Sequence, residues 1–202
     1  MEKNSKWYLT GICLIGVVIG IVFVGVLTST VHWAGSTKFC GEFCHSMDVV
    51  YASYKAGQHY KTGSGVTAGC SDCHNKNHSN AHVGPFDYVA MLMDKAQAGT
   101  VSLLGQIRGT MSTPEKQVAM RKELAERVHE HMKAQNFSTC RGCHDVERMH
   151  NPKKPFVAKL HAGFGPKAEK PADCLMCHKK AGHDYDAGDK AFFEAQKTAS
   201  AK

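Results

Sequence analysis

Residues 139–144 read Thr-Cys-Arg-Gly-Cys-His: two cysteines three apart, with a histidine directly after the second. The pattern returns at Cys70/Cys73/His74 and Cys174/Cys177/His178, and with one more residue between the thiols at Cys40/Cys44/His45. This is the spacing of a haem c attachment site. The thiols form thioethers to the two vinyl groups, and the adjacent imidazole lies beneath the macrocycle as an axial iron ligand. Zinc is the rival, since eight thiolates could build two four-cysteine sites. Zinc has no need of the histidines, and at this chain's histidine frequency one after each of four pairs arises by chance in about one sequence in 10⁵. Disulfides are a poorer rival, because a two-residue gap makes a weak staple. Four haem c groups are therefore expected. Cys40, Cys44, Cys70, Cys73, Cys140, Cys143, Cys174 and Cys177 attach them, with His45, His74, His144 and His178 on iron. In the longer first motif, Cys40 and Cys44 still share one face of a helical turn, and a single thioether through Cys44 is the alternative.

Working outward toward the N-terminus, no Asp, Glu, Lys or Arg occurs from Trp7 to Thr37, and Leu9 to Leu27 is almost entirely aliphatic, aromatic or glycine. Crossing a bilayer takes about 20 apolar residues. A cleaved signal peptide has a shorter apolar region and a small-x-small site, which Thr28-Ser29-Thr30-Val31 does not supply. The segment 1–37 therefore reads as an uncleaved anchor. Lys3 and Lys6 precede it, so the positive-inside rule leaves the N-terminus in the cytoplasm and carries all four motifs across the bacterial inner membrane to the periplasm. Trp7, Tyr8 and Trp33 suit an aromatic belt.

The rest divides into a compact multihaem domain at 38–186 and a flexible Ala- and Lys-rich tail at 187–202. Its long apolar runs are few, so the haems supply most of the core. A formal charge of +7 counts neither propionates nor iron. The lysines fit propionate neutralisation or an acidic redox partner, and nucleic acid is not an expected partner outside the cytoplasm. Lys61-Thr-Gly-Ser-Gly65 reads as a loop, and 86–107 as a helix against the membrane surface or the haem core. A clearer helix starts at Thr113, a good N-cap followed by Pro114 and Glu115. It carries a stripe of Val118, Ala125, Val128 and Met132 and stops near Asn136. Pro152, Pro155, Pro166 and Pro171 point to loop wrapped over haem in the last part. No strand pattern is evident. The fold class is thus mainly α with extensive loops: a single transmembrane helix plus a compact multihaem cytochrome c domain.

One N-terminal anchor followed by four haem c motifs, with Phe39-Cys40 opening the first and Cys44-His45-Ser46-Met47 closing it, resembles the NapC/NirT family of membrane-anchored multihaem cytochromes. Thr113-Pro-Glu-Lys116, Arg121-Lys-Glu-Leu-Ala-Glu-Arg127 and Thr139-Cys-Arg-Gly-Cys-His144 extend the resemblance over nearly the whole chain. It implies electron transfer from membrane quinol to a periplasmic reductase or other redox protein. It also implies distal ligands: His59 for the fourth haem, His183 for the third and His161 for the second, making these haems bis-histidine and low-spin. Met47 is either the second ligand of haem one or a side chain packed on its ring. His32, His78, His82, His129, His131 and His150 are left without an iron, with His78 or His82 placed to touch a propionate.

The chain departs from the family pattern twice. Motif one has its extra residue, and the Lys and Asp that serve quinol in relatives align with Met91 or Leu92 and with Ala98, while Asp94 and Lys95 stand out of register. Quinol oxidation releases protons as well as electrons. The alternative direction, electrons passed into quinone from a periplasmic oxidation such as that of hydroxylamine, therefore stays open. So do a haem-based small-molecule sensor and the oligomeric state, homo- or hetero-oligomeric.

Overall fold

A computed structural model describes residues 2–75, 85–146, 153–163 and 173–201. Helix α1 (Glu2–Ala34) contains the apolar run. From Lys6 to Ala34 none of its apolar window is buried, so this is no core helix. Thr10 and Thr30 donate their hydroxyls to the Lys6 and Val26 carbonyls at 2.9 and 2.8 Å, which satisfies them without water.

Immediately after α1, Phe39–Phe43 form a π-helical turn and His45–Met47 a 3₁₀ turn. The sequence suggested an ordinary helical turn here. A π turn closes over one residue more than an α turn, and this is how the extra residue of motif one is housed. Gly41 lies inside it, where a Cβ would sit 2.4 Å from the Tyr51 ring.

Helix α2 (Asp48–Ala56) is the hub. Val49 and Ser53 are fully buried and Tyr54 nearly so, one face at helical spacing. Helix α3 (Cys70–His74) carries motif two, α4 (Pro85–Ile107) follows the anchor's exit, and α5 (Pro114–Ala134) starts as expected, with Thr113 accepting from the Lys116 amide. On α5, Gln117 and Met132 are buried and Val118, Arg121, Leu124 and Val128 half-buried, so Ala125, expected on the stripe, is exposed and the polar Gln117 and Arg121 belong to it. Helices α6 (Ser138–Arg141), α7 (Pro155–Ala162) and α8 (Cys174–Cys177) are short. The last part therefore holds more helix than its prolines suggested, partly because Pro155 takes the first helical position. Pro152, Pro166 and Pro171 lie outside the described residues, as do His78, His82 and His150.

The C-terminal segment, expected to be a flexible tail, is instead helix α9 (Tyr185–Ser200). Asp184 caps it by accepting from the Ala187 amide at 3.2 Å. Gly188 lets it lie directly on α2, where a Cβ would come within 2.3 Å of the Ser53 Cα. Arg121 fastens it with two hydrogen bonds to Asp189, at 2.8 and 2.7 Å, and stacks over the Tyr185 ring.

No strand occurs among the described residues. The buried apolar side chains among them are Val49, Tyr54, Met91, Met132, Phe137 and Ala158. Such a set is small for a domain of this size, as expected if another apolar component fills the interior.

Candidate haem sites

Each motif is held by a different local device. Motif one is clamped from α5: Gln117 donates to the His45 carbonyl at 3.1 Å and accepts from the Val49 amide at 3.4 Å. In motif two, Asp72 reaches back to the Gly69 amide at 2.7 Å, Thr37 accepts from the Cys70 amide, and Ser71 donates to the Gly35 carbonyl. That last bond ties motif two to the end of the anchor. Motif three follows a reversal in which Asn136 and Phe137 both take positive φ, with the Phe137 ring buried. Motif four begins at Asp173, which caps α8 through the Met176 amide and pairs with His129 at 2.9 Å. Burial works to raise the Asp173 carboxyl, but the His129 and Met176 hydrogen bonds outweigh it and hold it below the usual range. Neither Gln117 nor His129 was singled out from sequence as a site residue.

The histidines then fall into facing pairs. Ring centres lie 5.8 Å apart for His59 and His144, 6.2 Å for His74 and His183, and 6.2 Å for His161 and His178. Two imidazoles on opposite sides of one metal, each bound at about 2 Å, have ring centres roughly 6 Å apart. The three partners are His59, His183 and His161, each beside a motif other than the one the family resemblance implied for it. His59 faces motif three rather than four, His183 motif two rather than three, and His161 motif four rather than two. The reason is long-range packing. Residues 181–184 run beside α2 and its C-terminal turn, where the Asp184 amide donates to the Ser53 carbonyl at 3.0 Å. His183 is thereby carried to the α2 side, and His59 is held to the Ala181 carbonyl at 2.5 Å.

The donor set fits haem c. The four motif histidines are solvent-accessible, although surrounding protein already desolvates His74 and His144, and His59, His161 and His183 are half-buried. Among the described residues, no group of three or more His, Cys, Asp and Glu is placed to share one metal ion. Burial, followed by the neighbouring His74, pushes His183 down to about 4. His144 is lowered by burial and then by His59 and His178. Neutral imidazoles are the form that binds metal. A cavity of about 160 Å³ beside motif two is lined by Cys73, His74, Arg127, Val128, His131 and Met132. Arg127 of α5 thus borders it.

The motif thiols also lie near one another. Cys40 and Cys70 face each other, and so do Cys140 and Cys174; Cys73 lies close enough to Cys143 to feel its charge. Hydrogen bonding from the partner thiol lowers Cys70 and Cys140 to about 7, while Cys40 and Cys174 are raised.

Motif one differs. His45 is open to solvent, its Nδ1 3.6 Å from the Asp48 carboxylate, and no second imidazole faces it among the described residues. Met47 is half-buried two residues on. Phe39 and Phe43 stack at 5.5 Å, with Trp33 edge-on to both. Lys95 arrives from α4, donating to the Val31 carbonyl at 3.3 Å; burial lowers its pKa and the Cys40 charge opposes this. The adjacent Asp94 keeps one buried carboxylate oxygen without a hydrogen-bond partner among the described residues. Met91 is buried and Ala98 exposed, so it is Lys95 that the fold delivers to the junction of anchor and motif one.

A family model described as "NapC/NirT cytochrome c family, N-terminal region" matches residues 2–187. Cytochrome c-type protein NapC of Escherichia coli is 35% identical over 193 residues, covering 91% of this chain and 89% of that protein. Denitrification system component NirT of Stutzerimonas stutzeri is 34% identical over 188 residues, covering 93% and 87%. Cytochrome c-type protein TorC of Escherichia coli is 34% identical over 182 residues, covering 90% of this chain but only 44% of TorC. No solved structure matches the chain significantly. The chain belongs to the NapC/NirT cytochrome c family, membrane-anchored electron-transfer proteins with covalently bound haem.

Proposed function

We propose that this chain carries electrons between the membrane quinone pool and a periplasmic redox protein through four covalently bound haems, acting as a quinol oxidant. The observation that carries this reading is the set of three facing imidazole pairs, with a fourth, unpaired motif directly after the apolar helix. Bound haem supplies a one-electron carrier at each motif. The side chains do the rest. Cys40, Cys44, Cys70, Cys73, Cys140, Cys143, Cys174 and Cys177 hold the four macrocycles. His74 with His183, His144 with His59, and His178 with His161 would hold the irons of three haems, leaving those irons suited to electron transfer rather than to binding small ligands. His45 takes one face of haem one, and Met47 is assigned to it as second ligand. The proximity of Cys40 to Cys70, of Cys73 to Cys143 and of Cys140 to Cys174 supports a relay in the order one, two, three, four.

Lys3 and Lys6 hold the N-terminus in the cytoplasm. The Trp33, Phe39 and Phe43 rings offer an apolar platform for a quinone head group beside motif one. Lys95 and Asp94 supply the charge and the proton acceptor there, in place of the family pair absent at Met91, Leu92 and Ala98. This substitution and the π turn favour a second reading, in which electrons enter quinone from a periplasmic oxidation.

Stopped-flow haem absorbance on detergent-purified protein separates the two. Fast reduction of the oxidised form by menaquinol or ubiquinol analogues, slowed by Phe39→Ala, Met47→Ala or Lys95→Met, supports quinol oxidation at haem one. A form that quinol hardly reduces, but that quinone rapidly oxidises once reduced, reverses the direction. Reaction with neither rules out quinone exchange altogether.

A further inference from the structure

The three histidines paired with motifs two, three and four differ in what their Nδ1 meets. His59 Nδ1 meets the Ala181 carbonyl at 2.5 Å, and a carbonyl can only accept, so this nitrogen carries the proton. His183 Nδ1 meets the Ser53 hydroxyl at 3.0 Å. That hydroxyl spends its single proton on the Val50 carbonyl at 2.6 Å, so it too can only accept from His183. His161 Nδ1 is enclosed and has no hydrogen-bond partner among the described residues. His59 and His183 are thereby fixed in the tautomer whose Nε2 lone pair is free for iron. The two contacts also cross: a residue after motif four orients His59, and a residue of α2 orients His183.

A histidine ligand that donates its second N–H to an acceptor is a stronger electron donor to its metal, which favours the oxidised metal. We infer that these unequal contacts grade the one-electron reduction potentials of the three bis-histidine haems: His59/His144 lowest, His74/His183 between, His161/His178 highest, with Ser53 as a positioning residue for His183. This rests on the ligand pairs proposed above. A carbonyl is a better acceptor than a hydroxyl, and the contact at His59 is also the shorter, which sets the first two steps of the order. An enclosed Nδ1 with no acceptor among the described residues sets the third.

The test is a potentiometric titration of the full chain in detergent, followed by electron paramagnetic resonance, with each haem assigned through its distal-ligand variant. Ser53→Ala removes the acceptor at His183 while leaving the other two distal ligands as they are. The expected result is a rise of about tenfold in the reduction equilibrium constant of the His74/His183 haem alone, equivalent to about 59 mV for one electron, with an altered low-spin signal for that haem. The wild-type haems should reduce in the order His161/His178, His74/His183, His59/His144. An unchanged potential and signal in a folded Ser53→Ala protein carrying all its haems overturns the inference, as does a wild-type order with His59/His144 highest. His183→Ala distinguishes this failure from that of the ligand reading. If one haem becomes high-spin in His183→Ala, the ligand pair stands and only the grading has failed. If no haem changes spin state, the pair itself is wrong.

Discussion

At the residue scale, a few small or polar side chains decide what the haem motifs can do. Gln117 is almost fully buried and bonded on both ends of its amide, to His45 and Met111 carbonyls and to the Val49 amide. Gln117→Ala strands those backbone groups and should cost about 1–3 kcal/mol, read as a lower denaturant midpoint with unchanged haem content. Gly188→Ala is a stricter case, because the atoms within reach of the new Cβ are backbone atoms of Ser53 and Ala52, which cannot rotate away. The expected cost is again about 1–3 kcal/mol, with amide exchange rising selectively across α9. Unchanged exchange there would mean that the helix is not seated on α2. Sequence reading finds neither residue by hydrophobicity: Gln117 is a polar residue on the inward face of α5, and Gly188 sits in an Ala- and Lys-rich run. The motif cysteines and their histidines are legible because covalent chemistry fixes their spacing. Which distal histidine meets which motif is not, since it depends on residues 181–184 folding back against α2.

At the element scale, α9 shows how composition misleads. Tyr185, Gly188, Asp189 and Phe192 form one face at three- and four-residue spacing, but two of them are not hydrophobic, so periodicity hides the helix. Its attachment rests on the Arg121–Asp189 pair, about one-fifth exposed on the Arg side and one-quarter on the Asp side. A double-mutant cycle with Arg121→Ala and Asp189→Ala should give a coupling of about 1–2 kcal/mol, more than an exposed pair such as Lys122–Glu126 supplies. A coupling near zero would place the attachment in packing alone. Helix α5, by contrast, is readable from its start, because Thr113, Pro114 and Glu115 are local signals that need no distant partner. The π turn at motif one lies between these cases. The additional residue is visible in the sequence, but its accommodation depends on the Tyr51 ring against Gly41.

At the scale of the whole molecule, an exposed apolar helix leads into a domain with few buried apolar side chains and three ready-made imidazole pairs. The anchor and the domain are joined at several points. Ser71 bonds the Gly35 carbonyl, Lys95 the Val31 carbonyl, and Tyr88 the Thr28 hydroxyl at 3.4 Å. These contacts tie motif two and α4 to the last turns of the apolar helix. The proposed relay runs in motif order, and a break at motif two tests it. Cys70→Ala/Cys73→Ala protein, shown by intact mass to retain the other haems, is mixed with menaquinol in lipid nanodiscs and followed by stopped-flow absorbance. Reduction of haem one alone, with haems three and four still oxidised after the unmodified chain is fully reduced, is the predicted result. Reduction of all remaining haems at the unmodified rate would contradict a relay entered at haem one.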